Sequence, residues 1–298
     1  MDLRQLRHFV AVFERGNLSK AAEAIPISQP ALTRSVKTLE DQLGVELFER
    51  HARGATPTAA GERLYHHAKS ILAECARASR DAAAPLDELS GSVAVGVGAL
   101  FSTHIVDQMV VRFTQDNPKV KLRVHQGYFE DLIKLLDLGE IELAFVNFPL
   151  LSLPENMEFE PLMAVHTSAF ASAEHPLADS ETVAMKELQG ARWATVDQPH
   201  AVDLLEAMFV SEGLAAPLIS VQTNSLSLIK SVVLSSEFIG LLPDHMFEAE
   251  LAEGRVVRVP LPNMPLVRSA GLITRKEGFQ RPITRAVEKT IRDFVIEL

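Results

Sequence analysis

The 298-residue chain contains very little cysteine, tryptophan and tyrosine: one Cys, one Trp and two Tyr stand beside 15 Phe. The single cysteine, Cys75, excludes an intrachain disulfide and fits a reducing compartment. No segment has the roughly 18 consecutive apolar residues of a membrane helix. The start of the chain, Met1–Gln5, lacks the basic and apolar runs of a secretory signal. We therefore expect a cytoplasmic protein without a membrane partner.

The composition is that of a globular protein, with 47% hydrophobic and 23% charged residues, and the length favours two or three domains. Charge is distributed unevenly along the chain. Residues 1–90 contain equal numbers of basic and acidic side chains, so the net charge of −10 belongs entirely to residues 91–298. This imbalance indicates that the C-terminal two thirds do not bind nucleic acid.

Apolar residues at helical spacing predict a first helix with the stripe Leu3, Leu6, Val10 and Phe13. Gly16 ends this helix, and Asn17 or Ser19 caps a short second helix over 19–24. A tight break then leads to a third helix that starts near Ser28. The predicted buried face of the third helix consists of Leu32, Val36, Leu39 and Leu43.

The opposite face of the third helix is polar and basic, with no acidic residue between Ser28 and Leu39. In major-groove recognition the second helix of a short pair places its first side chains on base edges, where Arg binds guanine, Gln binds adenine and Thr contacts the thymine methyl. After Gly44, a short strand at 47–48 and a basic loop over 50–54 predict a wing on the phosphates or the minor groove. The predicted base-reading residues are Gln29, Pro30, Thr33 and Arg34, the predicted phosphate contacts are Lys37, Arg50 and Arg53, and Ser28 stands at the helix start.

Periodicity alone leaves an alternative, a small helical domain whose solvated face is basic. Ordered short motifs add further information. They are Leu6-Arg7-His8-Phe9, Gly16-Asn17-Leu18-Ser19-Lys20-Ala21-Ala22, Ser28-Gln29-Pro30-Ala31-Leu32-Thr33-Arg34, Leu39-Glu40, Leu43-Gly44, Leu47-Phe48-Glu49-Arg50 and Thr58-Ala59-Ala60-Gly61. With these motifs the chain resembles the N-terminal domain of LysR-type transcriptional regulators. The resemblance implies a DNA-binding winged helix-turn-helix whose recognition helix starts near Ser28. The chain departs from the family pattern in the wing, at Ala55-Thr56-Pro57.

A long helix is predicted after the wing, because residues 62–84 contain neither Pro nor Gly. Its small and apolar residues form a heptad seam, and Pro85 then starts a hinge that ends near Ser92. The seam consists of Leu64, Ala68, Ile71, Cys75, Ala78 and Ala82. Such a seam pairs either with a second copy of itself or with its own domain. The LysR resemblance implies that this linker helix forms a homodimer, in which Cys75 is a small buried hydrophobe.

Strand-like and helix-like runs alternate over the C-terminal two thirds and indicate an α/β fold. The predicted strands lie at 92–97, 120–124, 143–146, 192–196, 218–221, 238–242 and 270–273. The tripeptide Leu-Ile-Lys recurs at 132–134 and 228–230, each time opening a helix that leads to a strand ending at a proline, Pro149 or Pro243. We expect two similar lobes, with the chain returning to the first after about residue 266. The family resemblance independently implies a two-lobed domain similar to periplasmic binding proteins.

Two-lobed α/β proteins bind small ligands in the crevice between the lobes, at the carboxyl ends of strands. The loops expected at these ends match the loops that line the effector pocket of LysR-type regulators. The candidate effector contacts are Phe101, Ser102, Thr103, Asn147, Phe148, Gln198, His200, Asn224 and Ser225. Because these loops offer donors without an obvious Arg, we expect a small organic acid held by helix N-termini and hydroxyls, with Phe101 and Phe148 on its apolar part.

Other chemistries find no support in the sequence. Phe101 replaces the third Gly of a dinucleotide fingerprint that begins at Gly96, and the adjacent His66 and His67 point to different helix faces. We expect no catalytic residue, metal or cofactor. The predicted domains are 1–58 (winged helix-turn-helix), 59–91 (linker helix and hinge) and 92–298 (effector-binding domain), with lobe I at about 92–162 and 267–298 and lobe II at about 163–266.

The leading hypothesis is a non-enzymatic LysR-type regulator that binds promoter double-stranded DNA as a homodimer or homotetramer and responds to a small-molecule effector. RNA polymerase is a further candidate partner. The alternative hypothesis is a cytoplasmic solute-binding module whose helical front end only dimerises.

Overall fold

The computed structural model describes residues 1–51, 54–82, 89–101, 105–148, 152–262, 266–276 and 280–297. The N-terminal part contains three helices and a hairpin, followed by a long helix. The helices are α1 (Leu3–Arg15), α2 (Leu18–Ala24) and α3 (Gln29–Leu43), the hairpin strands are β1 (Phe48–His51) and β2 (Gly54–Pro57), and the long helix is α4 (Ala59–Ala82).

Local capping fixes the ends of the short helices. Asp2 accepts a hydrogen bond from the Gln5 amide and starts α1, and Gly16 ends it in the left-handed conformation. Of the two predicted caps of α2, Asn17 fills the position, because its side chain accepts from the amides of Ser19 and Lys20.

The buried face of α3 is nearly as predicted. Leu32, Val36 and Leu39 are fully buried against Phe9 and the other apolar residues of α1, α2 and the hairpin. The prediction for Leu43 is wrong, since this side chain is 39% exposed. Leu43 is the last residue of the helix, and Gly44 turns the chain away with a φ of 70°. The predicted strand at 47–48 also shifts, because β1 begins at Phe48.

The linker helix α4 packs on its own domain along its first half and is uncovered along its second. Ala68 is buried, and Leu64 is partly buried, in the core of the N-terminal domain. Farther along the seam, Ile71, Ala78 and Ala82 are exposed and Cys75 is half-buried. The first part of the seam therefore follows the intrachain alternative. Of the hinge predicted from Pro85 to Ser92, residues 85–88 lie outside the described residues, and its end is wrong, because a strand begins at Gly91.

Lys69 of α4 joins three parts of the chain. Its Nζ lies 3.2 Å from Glu14 Oε1 on α1 and 3.0 Å from Glu140 Oε1 in the C-terminal domain. The neighbouring Ser70 Oγ donates a 2.5 Å hydrogen bond to the carbonyl of Asp137. This junction fixes the linker helix against the C-terminal domain of the same chain.

The C-terminal part is an α/β domain built on one nine-stranded sheet, whose main path is β4-β3-β5-β11-β6-β9-β7-β8, with β10 pairing with β6. Its strands are β3 (Gly91–Gly98), β4 (Val120–Gly127), β5 (Leu143–Asn147), β6 (Met157–Ser172), β7 (Arg192–Val196), β8 (Leu218–Thr223), β9 (Phe238–Pro243), β10 (Val256–Val259) and β11 (Leu266–Arg275). Its helices are α5 (Ile105–Asp116), α6 (Phe129–Asp137), α7 (Pro199–Val210), α8 (Leu226–Leu234), α9 (Glu248–Ala252) and α10 (Pro282–Glu297).

Two long antiparallel strands connect the halves of the sheet. β6 and β11 pair with each other from Met157 to Thr167 of β6, and sequence patterns did not predict β6. β11 pairs with β5 on the lobe I side, whereas the far end of β6 pairs with β9 and β10 on the lobe II side. The lobe boundary expected near residue 163 therefore falls inside β6.

The repeated tripeptide lies in corresponding helices of the two lobes, although not at their first residues. Leu132 is the fourth residue of α6, and Leu228 is the third residue of α8. Each helix leads to a strand, β5 or β9, and β9 ends at Pro243 as predicted. β5 ends at Asn147, and Pro149 lies outside the described residues.

Candidate nucleic-acid interface and effector cavity

The N-terminal half of α3 presents an exposed polar surface, which we call the α3 face: Ser28, Gln29, Pro30, Thr33, Arg34 and Lys37. Thr33 is half-buried and the other five are exposed. Gln29 Nε2 donates a 3.1 Å hydrogen bond to Thr33 Oγ1, which orients both side chains on one turn. Ser28 occupies the N-cap position without a side-chain capping bond.

The cations of the α3 face are free to bind a ligand. Neither Arg34 nor Lys37 has an ion-pair partner among the described residues. Arg4 of α1 lines the same open cleft as Arg34, and the apolar stripe of α1 does not predict this position. Between the two arginines, His8 Nδ1 and Ser35 Oγ form a 2.7 Å hydrogen bond that ties α1 to α3. Burial, and then the positive charge of Arg4, lower the pKa of His8.

The wing is present as the β1–β2 hairpin, with His51 opposite Gly54 at its tip. The Ala55 amide donates to the carbonyl of Gly16 at 2.9 Å, which fixes the hairpin beside the turn between α1 and α2. At the departure from the family pattern, Ala55 is 5% exposed and fills the core. Arg53 lies outside the described residues, and for Arg50 the structure describes only its backbone place in β1.

A cavity of about 130 Å³ lies between the two lobes, and we call it the interlobe cavity. Lobe I contributes the end of β5, lobe II contributes β7, α7 and β9, and the connecting strands contribute Thr167 of β6 and Arg268 of β11. The lining residues are Leu100, Asn147, Phe148, Thr167, Thr195, Val196, His200, Ala201, Leu204, Leu241, Leu242, Pro243, Leu266 and Arg268.

The structure brings Asn147, Phe148 and His200 together around the interlobe cavity. The prediction for Phe101 is wrong, because its side chain is fully buried in the core. The centroid of its ring lies 4.7 Å from that of Phe145 and 5.7 Å from that of His245. Its neighbour Leu100 lines the cavity instead. Ser102 and Thr103 lie outside the described residues.

The remaining candidates lie at helix starts beside the cavity without lining it. Gln198 precedes α7, and Ser225 Oγ caps α8 by accepting from the Leu228 amide. The carbonyl of Asn224 accepts a 3.1 Å hydrogen bond from the Tyr128 hydroxyl of lobe I. Burial, and then the charge of Asp197, raise the pKa of Tyr128, so its hydroxyl keeps the proton that it donates.

Two polar atoms at the interlobe cavity have no hydrogen-bond partner among the described residues. Asn147 Oδ1 and His200 Nδ1 are buried without a hydrogen-bond partner in the described chain. His200 Nδ1 lies 3.7 Å from Glu130 Oε1, which is too far for a hydrogen bond and forms an ion pair only when the ring is protonated. An unpaired buried polar atom costs free energy, so these two atoms mark the hydrogen-bonding positions that the cavity offers.

Arg268 corrects the expectation of a site without arginine. It is half-buried, lines the cavity, and has no carboxylate partner among the described residues. The alternation of side chains along β11 could have predicted this lining residue. Arg268 lies two residues before the buried Ala270, so the two side chains share one face of the strand. The predicted strand began at residue 270, so this position was missed.

No cluster of three or more His, Cys, Asp or Glu side chains in the described ranges is arranged to hold a metal ion. None of the described helices is both long and apolar enough to cross a membrane.

Comparison with known proteins agrees with this architecture. Residues 3–62 match the family model of bacterial regulatory helix-turn-helix proteins of the lysR family, and residues 86–295 match the LysR substrate binding domain. The chain is 31% identical over 270 residues to the HTH-type transcriptional regulator CfxR of Cupriavidus necator, an alignment that covers 90% of this chain and 84% of the relative.

Two solved structures share the fold. A variant of full-length OxyR from Pseudomonas aeruginosa has a TM-score of 0.68 at 23% identity, covering 99% of this chain and 94% of the other. Full-length CbnR in complex with its target DNA has a TM-score of 0.54 at 22% identity, covering 99% of this chain and all of the other. The helix-turn-helix motif, the linker helix, the two-lobed domain and the two family models together show that this chain belongs to the LysR family of transcriptional regulators.

Proposed function

We propose that this regulator reads its operator through the α3 face, with Gln29, Pro30, Thr33 and Arg34 on base edges. Lys37, Arg50 and Arg53 contact phosphates. The observation that carries this assignment is the pair of exposed cations, Arg34 and Lys37, on a helix whose other face is locked into the core. The acidic C-terminal domain is then the sensor, and the chain acts on DNA in the cytoplasm without catalysing a reaction.

The assignment is tested with operator DNA selected from a random-sequence pool by the full chain. Arg34→Ala is expected to weaken binding by about 1–3 kcal/mol and to relax specificity at one base pair. Lys37→Ala is expected to weaken operator and scrambled DNA alike and to reduce the salt dependence by about one ion.

The matched control is Lys186→Ala, which removes the same charge from an exposed site in lobe II and leaves binding unchanged. Equal losses on operator and scrambled DNA for both α3 variants would refute the division between base and phosphate contacts. If the wild-type chain shows no sequence-selective binding at all, the solute-binding module becomes the better hypothesis.

We also propose that the uncovered half of the linker helix forms the dimer, which provides two recognition helices for an interrupted dyad. The supporting observation is the exposure of Ile71, Ala78 and Ala82 on one seam. Ile71→Lys is expected to shift the full chain toward monomer in sedimentation velocity. Ala76→Lys adds the same charge at an exposed position about 120° away from the seam, so it is expected to leave the assembly intact. A tetramer built from two such dimers would still lose this contact in Ile71→Lys.

The effector site that we propose is the interlobe cavity, with a small organic acid as ligand. Buried unpaired atoms on Asn147 and His200 support it, together with the Arg268 guanidinium, which has no carboxylate partner among the described residues. A ligand at 100 times its Kd adds about 2.7 kcal/mol to stability, which a thermal-shift panel of small acids detects.

Two substitutions on one helix localise the effect. Ala201→Phe fills the cavity and is expected to abolish the shift, whereas Ala207→Phe lies on the exposed side of α7 and preserves it. A shift that survives Ala201→Phe would place the ligand elsewhere. We also propose RNA polymerase as the partner that responds to the ligand-bound state.

A further inference from the structure

The interlobe cavity has a chemical complement that is more specific than "a small acid". We propose that its ligand is a small hydroxy-monocarboxylate, whose carboxylate pairs with Arg268 and whose hydroxyl donates to Asn147. This inference rests on the proposed effector site and adds the charge, the donor and the size of the ligand.

The charge follows from an uncompensated guanidinium. Arg268 is the one permanent cation among the described lining residues, and it has no carboxylate partner in the described chain. A charge removed from water without a partner costs free energy that an anion in the cavity recovers. Arg also binds carboxylates through two parallel hydrogen bonds, which fixes the orientation of the ligand.

A second negative charge is disfavoured because the cavity offers one guanidinium. Arg268 is the one permanent cation among the described lining residues, so a second carboxylate would leave water without a cationic partner. The site therefore fits one negative charge.

The hydroxyl follows from an unpaired acceptor. Asn147 Oδ1 is buried and receives no hydrogen bond from the described chain, so a ligand that supplies a donor at this position satisfies it. An ammonium group would also donate, but no carboxylate lines the described part of the cavity to balance its charge. A neutral hydroxyl satisfies Asn147 without that penalty.

The size follows from the volume and the apolar walls. A cavity of about 150 Å³ holds benzene, so the 130 Å³ here suits a ligand with a few carbon atoms beside its carboxylate. Leu100, Phe148 and Leu204 provide apolar surface for a short hydrocarbon tail.

The test uses 2-hydroxy-3-methylbutanoate and four relatives of similar size, measured by isothermal titration with the full chain. The relatives are its neutral amide, 3-methylbutanoate without the hydroxyl, valine with an amine, and malate with a second carboxylate. We expect the hydroxy acid to bind at least about tenfold more tightly than each relative, because each one leaves a buried partner or charge unsatisfied.

Variants separate this inference from the effector site itself. Arg268→Met is expected to remove the preference for the acid over its amide, Arg268→Lys to retain part of it, and Arg123→Met, an exposed control on β4, to change nothing. Since the Arg268 guanidinium has no hydrogen-bond or ion-pair partner among the described residues, its loss should leave the melting temperature of the free chain unchanged.

Each outcome decides between the two proposals. If any of the four relatives binds as tightly as the hydroxy acid and Ala201→Phe still blocks binding, the inference about ligand class is wrong while the cavity remains the effector site. If Ala201→Phe leaves tight binding intact, the site itself is wrong. If the wild-type chain binds none of the five probes, the hydroxy-acid class is refuted, and operator binding through the α3 face is unaffected.

Discussion

Replacing Gly61 by alanine should open the N-terminal domain, because this glycine lies in the first turn of α4 against the backbone of the neighbouring segment. An added Cβ would lie 2.3 Å from the Leu47 carbonyl oxygen, whereas real contacts of this kind are not shorter than 3.0 Å. The backbones must therefore separate by at least 0.7 Å. Leu47 cannot yield easily, since its amide donates to Glu40, its carbonyl accepts from the Thr58 amide, and its side chain is 1% exposed.

The magnitude is a balance of two effects. Alanine gains about 1 kcal/mol over glycine inside a helix. Forcing extra volume into a packed contact costs about 1–3 kcal/mol, and here both sides of the contact are backbone. We expect a net loss of about 1–2 kcal/mol, which raises the population of the opened domain roughly 5–30-fold.

Native-state hydrogen exchange of the full chain measures this loss locally, through the amides of α1 and α3. The control is Gly190→Ala, because a Cβ at Gly190 meets nothing within 4 Å and its φ is not positive. This control should leave α1 and α3 protection unchanged. Protection in Gly61→Ala within twofold of the wild type would refute the reasoning.

Three further predictions follow from other contacts. Arg281→Met should cost about 3–5 kcal/mol in urea unfolding, because Arg281 is 5% exposed and its loss leaves the Glu142 carboxylate, 2.9 Å away, without its cation. The Thr284 hydroxyl also donates to Glu142 but does not balance the charge. Arg285→Met, at an exposed position, should be nearly neutral. Burial lowers the pKa of His175 below its usual 6.5, and its Nδ1 accepts a hydrogen bond from the Leu177 amide. The folded chain therefore binds this proton less readily than the unfolded chain, and the free energy of unfolding should decline as the pH falls below 6.5. His175→Gln should remove that decline, and a variant with the same pH profile as the wild type would refute this role. Lys69→Met should lower the free energy of unfolding by less than about 2 kcal/mol, because both ion pairs of Lys69 are partly exposed. In 1 M salt, which screens such pairs, the difference from the wild type should vanish. A difference that persists in 1 M salt would show that packing dominates.

Local sequence patterns predicted the elements whose contacts are themselves local. The buried face of α3 appeared because Leu32, Val36 and Leu39 repeat at helical spacing, and the pattern failed at Leu43 only because the helix ends there. The strands that are buried on both faces, such as β5, appeared as short apolar runs. β6 did not, because it alternates irregularly and contains Pro161.

The cavity depends on contacts between distant residues, which no local pattern contains. Leu100 and Phe101 are adjacent, yet one lines the cavity and the other is buried. Their separation is fixed by His245, 145 residues along the chain, which donates to the Leu100 carbonyl and stacks on Phe101. Only the folded chain shows which of two neighbours faces the ligand.

The crossing strands β6 and β11 have a mechanical consequence. β5 pairs with residues 270–273 of β11, and β9 pairs with residues 167–170 of β6. Between these limits, residues 164–166 of β6 and 267–269 of β11 pair as strands only with each other, so the wide sheet narrows to a two-stranded neck. Two-stranded ribbons twist more than broad sheets do, so rotation of one lobe against the other concentrates in this neck. Arg268 is the middle residue of the β11 half of the neck. An anion that bound to its guanidinium, as proposed above, would therefore act directly on the segment that joins the lobes.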